Sequence, residues 1–223
     1  MVVIGYGTYG CIYRPPIKCS NKTRKINYEN KISKLLTEKS ATTEQFEYNK
    51  ISKIDKQHKY HLGKPILCKA DEADLMQKTR KHKCKKYEDE HENKRFRLLI
   101  MEYGGMDLKT YIDDKKNLSM DFWTNARNLF DGVQLFAKHN LTHRDIKPAN
   151  ILLKPKTNQL VYIDFGLTDD MTKFKQKILD GIKTTKFHWT YPFEYGFASS
   201  AYPTASSAHP FDKKFADKLC KKI

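Results

Sequence analysis

No stretch of the sequence approaches the about 20 consecutive apolar residues that a membrane-spanning helix requires. The longest apolar runs, residues 98–101 and 151–153, have the length of strands. The first ten residues, MVVIGYGTYG, lack the basic start and the long apolar stretch of a secretory signal peptide. The five cysteines form an odd set without the spacing of a disulfide framework, which favours a reducing compartment. These absences predict a soluble protein of the cytoplasm that has no membrane partner.

Acidic residues are also scarce. Against 42 lysines and arginines there are 26 aspartates and glutamates, which gives the 223 residues a net charge of +16. The basic residues, mostly lysine, are spread along the whole chain, and this favours a solvated surface over a dedicated nucleic-acid site. Hydrophobic residues make up 39% of the chain, which is enough for a core and excludes wholesale disorder.

A glycine-rich turn lies near the start of the chain. Residues 5–12, GYGTYGCI, have the pattern GxGxxGxI between two short strand-like stretches, residues 2–4 and 11–13. A strand follows these glycines, whereas a helix follows the glycines of a dinucleotide-binding fingerprint. A turn of this kind lets backbone amides come close to phosphate groups.

Two further motifs carry the residue types that phosphoryl transfer needs. Residues 143–150 read HRDIKPAN, and residues 164–166, at the end of an apolar strand, read DFG. Phosphoryl transfer requires a carboxylate near the attacking hydroxyl, a cation on the moving phosphate and oxygen ligands for magnesium. Asp145, Lys147, Asn150 and Asp164 supply these types.

Together these motifs resemble the eukaryotic protein kinase family, and HRDIKPAN with its lysine resembles the Ser/Thr branch. The resemblance extends from residue 2 to about residue 194. The GTYGCIYRPP and NKISKLL stretches are similar to protein kinases of large nucleocytoplasmic DNA viruses, for which the location would be the host cytoplasm or the virion.

The resemblance implies an α+β, two-lobed fold that occupies residues 1–223 as a single kinase domain. The N-lobe, residues 1–101, is expected to be a small antiparallel sheet with one helix. The charged stretch at about residues 69–94 is interpreted as an exposed, solvated insertion in this lobe, and a helix stays open as its conformation. The C-lobe, residues 102–223, is expected to be mainly helical and incomplete after about residue 194.

The same resemblance implies a role for each motif residue and implies ATP and Mg²⁺ as cofactors. Asp145 matches the catalytic base, and Lys147 matches the residue that stabilises the transferring phosphate. Asn150 and Asp164 match the two magnesium ligands.

In the family a strand lysine holds the α- and β-phosphates of ATP. Lys34 is the first choice for that lysine because it lies on the third predicted strand, just before a helix. The residues before it do not spell VAIK, so Lys25 and Lys31 stay open as alternatives.

The family lysine pairs with a glutamate of the following helix. Residues 42–45, TTEQ, fit a capping box and predict a helix that runs to about residue 53. Glu47, Ile51 and Ile54 share one face of that helix. Glu47 is therefore the predicted partner, and Glu44 is the alternative.

The resemblance also assigns the remaining nucleotide contacts. Met101 would be the gatekeeper at the end of the last N-lobe strand, and the backbone of Glu102 and Tyr103 would read adenine. Asp107 would contact the ribose. The glycine-rich turn would contribute Ile4, Gly5, Gly7, Gly10 and Ile12.

Arg144, beside the predicted base, is suited to pair with a phosphorylated threonine. Several threonines lie between the DFG motif and residues 192–194, PFE, which loosely match the Ala-Pro-Glu of the family: Thr168, Thr172, Thr184, Thr185 and Thr190.

Only 29 residues follow residue 194, where the family continues through further helices. The lobe is then either minimal or part of a longer chain, and its exposed apolar surface would need a partner. Zinc-ligand types occur at Cys68, His82, Cys84 and His91, but their spacing and basic surroundings disfavour a zinc site.

These observations predict a Ser/Thr protein kinase that transfers the γ-phosphate of Mg-ATP to protein hydroxyls. Two alternatives stay open. One is a pseudokinase-like scaffold that binds nucleotide without transferring phosphate. The other is a kinase-like phosphotransferase acting on a small molecule or an RNA-associated target.

Overall fold

The first half of the chain forms an antiparallel sheet of five strands. The computed structural model describes residues 2–7, 10–20, 25–114, 119–155 and 157–184. In spatial order the strands are β1 (Val2–Gly7), β2 (Gly10–Arg14), β3 (Lys31–Thr37), β5 (Phe96–Glu102) and β4 (Ile66–Cys68). The β3–β5 register pairs Lys34 with Leu99 and so fixes the direction in which the lysine projects. This sheet is the antiparallel N-lobe that the sequence predicts.

Helix α1 (Glu38–Ile54) follows β3 without a loop. The Thr37 side chain accepts a hydrogen bond from the backbone N–H of Ser40, at 3.4 Å, and caps the helix. The helix therefore begins four residues before the predicted capping box at residue 42. Its buried side faces the sheet and carries Ala41, Glu44, Glu47, Tyr48 and Ile51.

The charged stretch between β4 and β5 is helical, and most of its residues are exposed or only partly buried. It forms two helices, α2 (Glu72–Lys81) and α3 (Lys85–Glu90). Leu75 and Cys84 are buried against the sheet in a hydrophobic cluster with Tyr13, Leu35 and Leu98. A few apolar anchors thus suffice to seat the insertion, because its many charges point to solvent. The cluster makes a second core on the opposite face of the sheet.

Four of the five cysteines form two disulfides, so the expectation of an unpaired set is also wrong. Cys11 bridges to Cys84, and Cys19 bridges to Cys68. The first bridge joins β2 to the start of α3, and the second joins the segment after β2 to the end of β4. The argument for a reducing compartment therefore loses its basis, and neither Cys68 nor Cys84 is free to ligate zinc.

Removing the Cys11–Cys84 bridge is expected to lower the free energy of unfolding by about 4 kcal/mol. The bridge closes a segment of 73 residues, and a closed loop of that length restricts the unfolded chain strongly. Alanine is used in the double variant Cys11→Ala, Cys84→Ala because serine would bury a hydroxyl. The variant should be compared with the oxidised wild type by urea denaturation. A loss below about 1 kcal/mol, or a mass showing free thiols in the wild type, would contradict the prediction.

The second half begins with β6 (Met106–Asp107), α4 (Leu108–Asp114) and α5 (Met120–Lys138). Short strands follow: β7 (Leu141–Thr142), β8 (Ile151–Leu153), β9 (Leu160–Tyr162) and β10 (Asp169–Asp170). Strands β6, β8 and β9 form one sheet, β7 pairs with β10, and α6 (Met171–Thr184) comes last. Residues 185–223, including the PFE motif and the predicted boundary at 194, lie outside the described residues. None of the described helices is long and apolar enough to cross a membrane.

Candidate active site

A cleft of about 810 Å³ lies between the sheet and the helical half of the chain. Volumes of this size are typical of pockets that hold small ligands. The cleft brings together residues that are far apart in sequence: Ile4, Gly5, Gly10 and Ile12 from the glycine-rich turn, Lys34 from β3, Asp107 from β6, and Asp145, Lys147, Asn150 and Asp164 from the two loop motifs. Gly7 lies at the end of β1, where it pairs with Gly10.

Lys34 is the lysine that projects into the cleft. Its Nζ donates to both oxygens of Glu44, at 2.9 and 2.7 Å, and to Oδ1 of Asp164 at 3.0 Å. Burial alone would lower the pKa of Lys34, but the two carboxylates raise it above its ordinary value. The alternative Lys31 pairs instead with Glu102 across the sheet, and Lys25 is exposed.

The predicted pairing of Lys34 with Glu47 is wrong. Glu44 holds the lysine, while Oε1 of Glu47 accepts a hydrogen bond from Lys50 at 2.9 Å. Both glutamates lie on the buried side of α1, so the apolar spacing around Glu47 does not distinguish them. Ala41 and Tyr48, three residues before and four residues after Glu44, are both buried in the core. This helical spacing of apolar residues around Glu44 is the signal that could have identified it.

Asp145 lies in the loop after β7, and its two carboxylate oxygens have different surroundings. Oδ2 of Asp145 accepts hydrogen bonds from Asn150 Nδ2 at 2.8 Å and from Lys147 Nζ at 2.9 Å. Oδ1 is buried and has no hydrogen-bond partner among the described residues. The Asp145 side chain is 9% exposed and lines the cleft together with Lys147 and Asn150.

Asp164 stands at the end of the apolar strand, in the left-handed backbone conformation with φ of 63°. Burial would raise the pKa of its carboxyl, but the ammonium of Lys34 holds that pKa below the ordinary value. The carboxyl is therefore charged at neutral pH and faces the cleft beside Asn150. A carboxylate and an amide oxygen fit magnesium, which takes few protein ligands when phosphates supply the others. No group of three His, Cys, Asp or Glu residues suited to a metal occurs in the described part of the chain.

The comparisons with known proteins agree with this arrangement. The protein kinase domain family matches residues 1–193. The chain belongs to that family. The described part accordingly shows the antiparallel N-lobe sheet with α1, followed by the helices and short strands of the second lobe.

Two curated relatives match parts of this kinase domain. A dual specificity protein kinase Ttk of Danio rerio is 34% identical over 74 residues, which are 33% of this chain and 7% of that protein. An SNF1-like protein kinase ssp2 of Schizosaccharomyces pombe is 34% identical over 79 residues, which are 34% of this chain and 13% of that protein. The chain thus covers less than two thirds of the length of these relatives.

The connection between the two lobes differs in part from the prediction. The backbone N–H of Tyr103, expected to read adenine, donates to the carbonyl of Asn30 at 2.8 Å. The following residue, Gly104, lines the cleft and was missed. A Cβ at that position would lie 2.5 Å from the terminal methyl carbons of Leu62 and Leu152, which would have to shift to make room. Glu102 keeps its place at the end of β5.

Asp107 lines the cleft of the kinase domain and also starts α4. Its two carboxylate oxygens accept hydrogen bonds from the backbone N–H of Thr110, at 3.0 Å, and from the Thr110 hydroxyl, at 2.8 Å. These bonds hold the carboxylate in one orientation and leave lone pairs toward the cleft. Its contact with ribose stays a prediction.

A stack of buried rings connects α1 to the catalytic loop. Phe165 lies 4.9 Å from Tyr48 and 4.9 Å from His143, measured between ring centroids. Burial lowers the pKa of His143, whose Nε2 lies 3.0 Å from the carbonyl of Ile163. Sequence reasoning assigned no role to Tyr48 or His143. The stack ties the position of Glu44 on α1 to the positions of Asp164 and Asp145.

Proposed function

We propose that this kinase domain transfers the γ-phosphate of Mg-ATP to serine or threonine hydroxyls of protein substrates. The observation that carries the proposal is that one cleft brings together the side chains that phosphoryl transfer needs: Lys34, Asp145, Lys147, Asn150 and Asp164. The HRDIKPAN sequence of this loop supports the choice of serine and threonine over tyrosine.

In the proposed mechanism each side chain acts by position and charge. The carboxylate of Asp145 orients the substrate hydroxyl and accepts its proton as the oxygen attacks the γ-phosphorus. Lys147 lies next to the same carboxylate and would balance charge on the transferred group. Asn150 and Asp164 would hold magnesium, which supplies charge neutralisation when it is bound. Lys34, fixed by Glu44, would hold the α- and β-phosphates.

The glycine-rich turn would cover the phosphates. A Cβ on Gly10 would lie 1.9 Å from the carbonyl oxygen of Leu35, so this position admits no side chain. The similarity of residues 7–16 to viral kinases stays a prediction, as do the cytoplasmic location and a partner that covers the C-lobe.

The test is transfer of labelled γ-phosphate from ATP by the purified chain, to itself and to a generic basic protein. We expect incorporation on serine or threonine that requires Mg²⁺ and disappears with EDTA. Acid hydrolysis of the product identifies the residue that is modified. ATP binding without transfer would favour a scaffold, and label on tyrosine alone would overturn the Ser/Thr assignment.

A further inference from the structure

Arg144 lies directly before Asp145 and is held in one orientation from several sides. Its backbone has φ of 65°, in the left-handed region. Its Nη1 lies 3.2 Å from Oδ2 of Asp169, and its guanidinium lies over the ring of Phe174, 4.5 Å from the centroid. The two paired side chains are only 14% and 17% exposed, so solvent screens the ion pair weakly. The orientation of Arg144 therefore depends on contacts from the segment after the DFG motif.

Asp169 is fixed by its own set of contacts. It lies in β10, which pairs with β7 just before the catalytic loop. Its Oδ2 also accepts a hydrogen bond from Lys177 of α6 at 2.5 Å, and its Oδ1 accepts one from the backbone N–H of Asp170 at 3.0 Å. The carboxylate thus joins the catalytic loop to α6, which is seated by the buried side chains of Phe174 and Ile178.

We propose that Asp169 is a positioning residue that supplies, within the unmodified chain, the negative charge to which Arg144 binds. The catalytic loop is then organised without phosphorylation of a threonine. The inference rests on the proposed kinase function and concerns the regulation of the same site.

The charges around Arg144 support this assignment. A phosphothreonine would bring a charge of about −1.5 to −2, and Arg144 is the kind of side chain that pairs with it. Here a carboxylate already accepts from the guanidinium, and a phosphate at the same place would be repelled by it. Burial would raise the pKa of the Asp169 carboxyl, but Lys177 and Arg144 hold that pKa below its ordinary value. The residue is therefore charged at neutral pH.

Two of the predicted threonines, Thr168 and Thr172, flank β10, and neither has a hydroxyl that is both exposed and unbonded. Thr168 is buried, with 9% of its surface exposed, and is therefore poorly accessible to another kinase. The Thr172 hydroxyl donates to the side-chain oxygen of Asn140 at 3.2 Å. Thr185 and Thr190, the other predicted threonines beyond α6, lie outside the described residues.

The experiment compares the phosphatase-treated wild type with three variants of the full chain, after mass spectrometry has verified that no phosphate remains. Dephosphorylated wild type should retain at least about half of its initial rate of transfer. Asp169→Asn should lower kcat at least about tenfold and change the KM for ATP less than about threefold, because the loop and not the nucleotide contacts is displaced. Asp169→Glu keeps the charge and should restore most of kcat. Asp170→Asn is the matched control, since that carboxylate accepts from Asn140 and not from Arg144.

Several outcomes overturn the inference. Loss of transfer after phosphatase treatment would show that Arg144 needs a phosphate. Equal rates for Asp169→Asn and Asp170→Asn, or no rescue by Asp169→Glu, would show that the charge of Asp169 does not position the loop. A wild type that transfers no phosphate before treatment would instead refute the proposed function, and the inference with it.

Discussion

Replacing Asp145 with asparagine is expected to lower kcat about a thousandfold. Asparagine has nearly the same shape, and Lys147 and Asn150 can still contact its side chain. The amide, however, cannot accept the proton of the substrate hydroxyl, and it removes a negative charge from the floor of the cleft. The measurement is steady-state transfer of γ-phosphate, together with nucleotide binding followed by thermal shift.

The proposed role requires the loss to fall on transfer and not on binding. We expect the affinity for Mg-ATP to change less than about threefold, because Asp145 is assigned to the substrate hydroxyl and not to the nucleotide. Asp114→Asn, at an exposed position near the end of α4, is the matched control and should keep full activity. A variant of Asp145 that retains more than about a tenth of kcat would refute proton acceptance by this residue.

Glu44→Gln is expected to lower kcat/KM about a hundredfold, whereas Glu47→Gln should change it less than about threefold. Glu44 accepts two hydrogen bonds from Lys34, and without its charge the ammonium has only Asp164 as a carboxylate partner among the described contacts. Lys34 would then move toward Asp164 and away from the phosphates. Glu47 contacts Lys50 on its own helix, and no described contact joins it to Lys34.

Both variants remove one buried carboxylate from the same helix. A difference between them therefore reports the position of the glutamate relative to Lys34 and not the loss of a charge as such. Each variant should be checked for a wild-type thermal transition, and transfer should be measured over a range of ATP concentrations. Equal losses in the two variants would refute the assignment of Glu44. A larger loss in Glu47→Gln would restore the pairing predicted from the sequence.

The residues that lie within short motifs were the easiest to place from the sequence. The turn at residues 143–150 holds Asp145, Lys147 and Asn150 within a few ångströms because they are local neighbours, so one motif brings all three into the cleft. Lys34 was preferred to Lys25 and Lys31 because it lies on the third predicted strand just before a helix, and it is the one of the three that lines the cleft.

The choice between Glu44 and Glu47 needed information that the sequence does not carry locally. Thr37 ends β3 and caps α1 at once, so the helix starts earlier than the capping-box pattern suggested. The face that meets Lys34 depends on how α1 crosses the sheet, and the buried side is wide enough to contain both glutamates. The rotation of α1 about its axis is fixed by its packing on the core, through Ala41, Tyr48 and Ile51, and Tyr48 also contacts Phe165.

The seating of the charged insertion on the sheet could not be predicted for a similar reason. Its composition is mostly charged, and the pattern of a solvated loop is correct for most of its side chains. Leu75, Cys84 and the aromatic Tyr87 nevertheless suffice to anchor it on β2 and β5, and the contacts lie far apart in sequence. Cysteine pairing across 73 residues leaves no local spacing that a sequence pattern could reveal.

The covered sheet has a consequence for the way nucleotide enters and leaves. Residues 32–36 of β3 are buried one after another, because α1 covers one face of the sheet and the insertion covers the other. A sheet packed on both faces and cross-linked to its insertion resists bending, so the small lobe moves as one rigid body. Opening of the cleft must then be absorbed by the short connection at residues 103–105, where Gly105 has φ of 95°. If the domain transfers phosphate as proposed, we expect nucleotide exchange to depend on those few backbone torsions more than on flexing of β3, which carries Lys34.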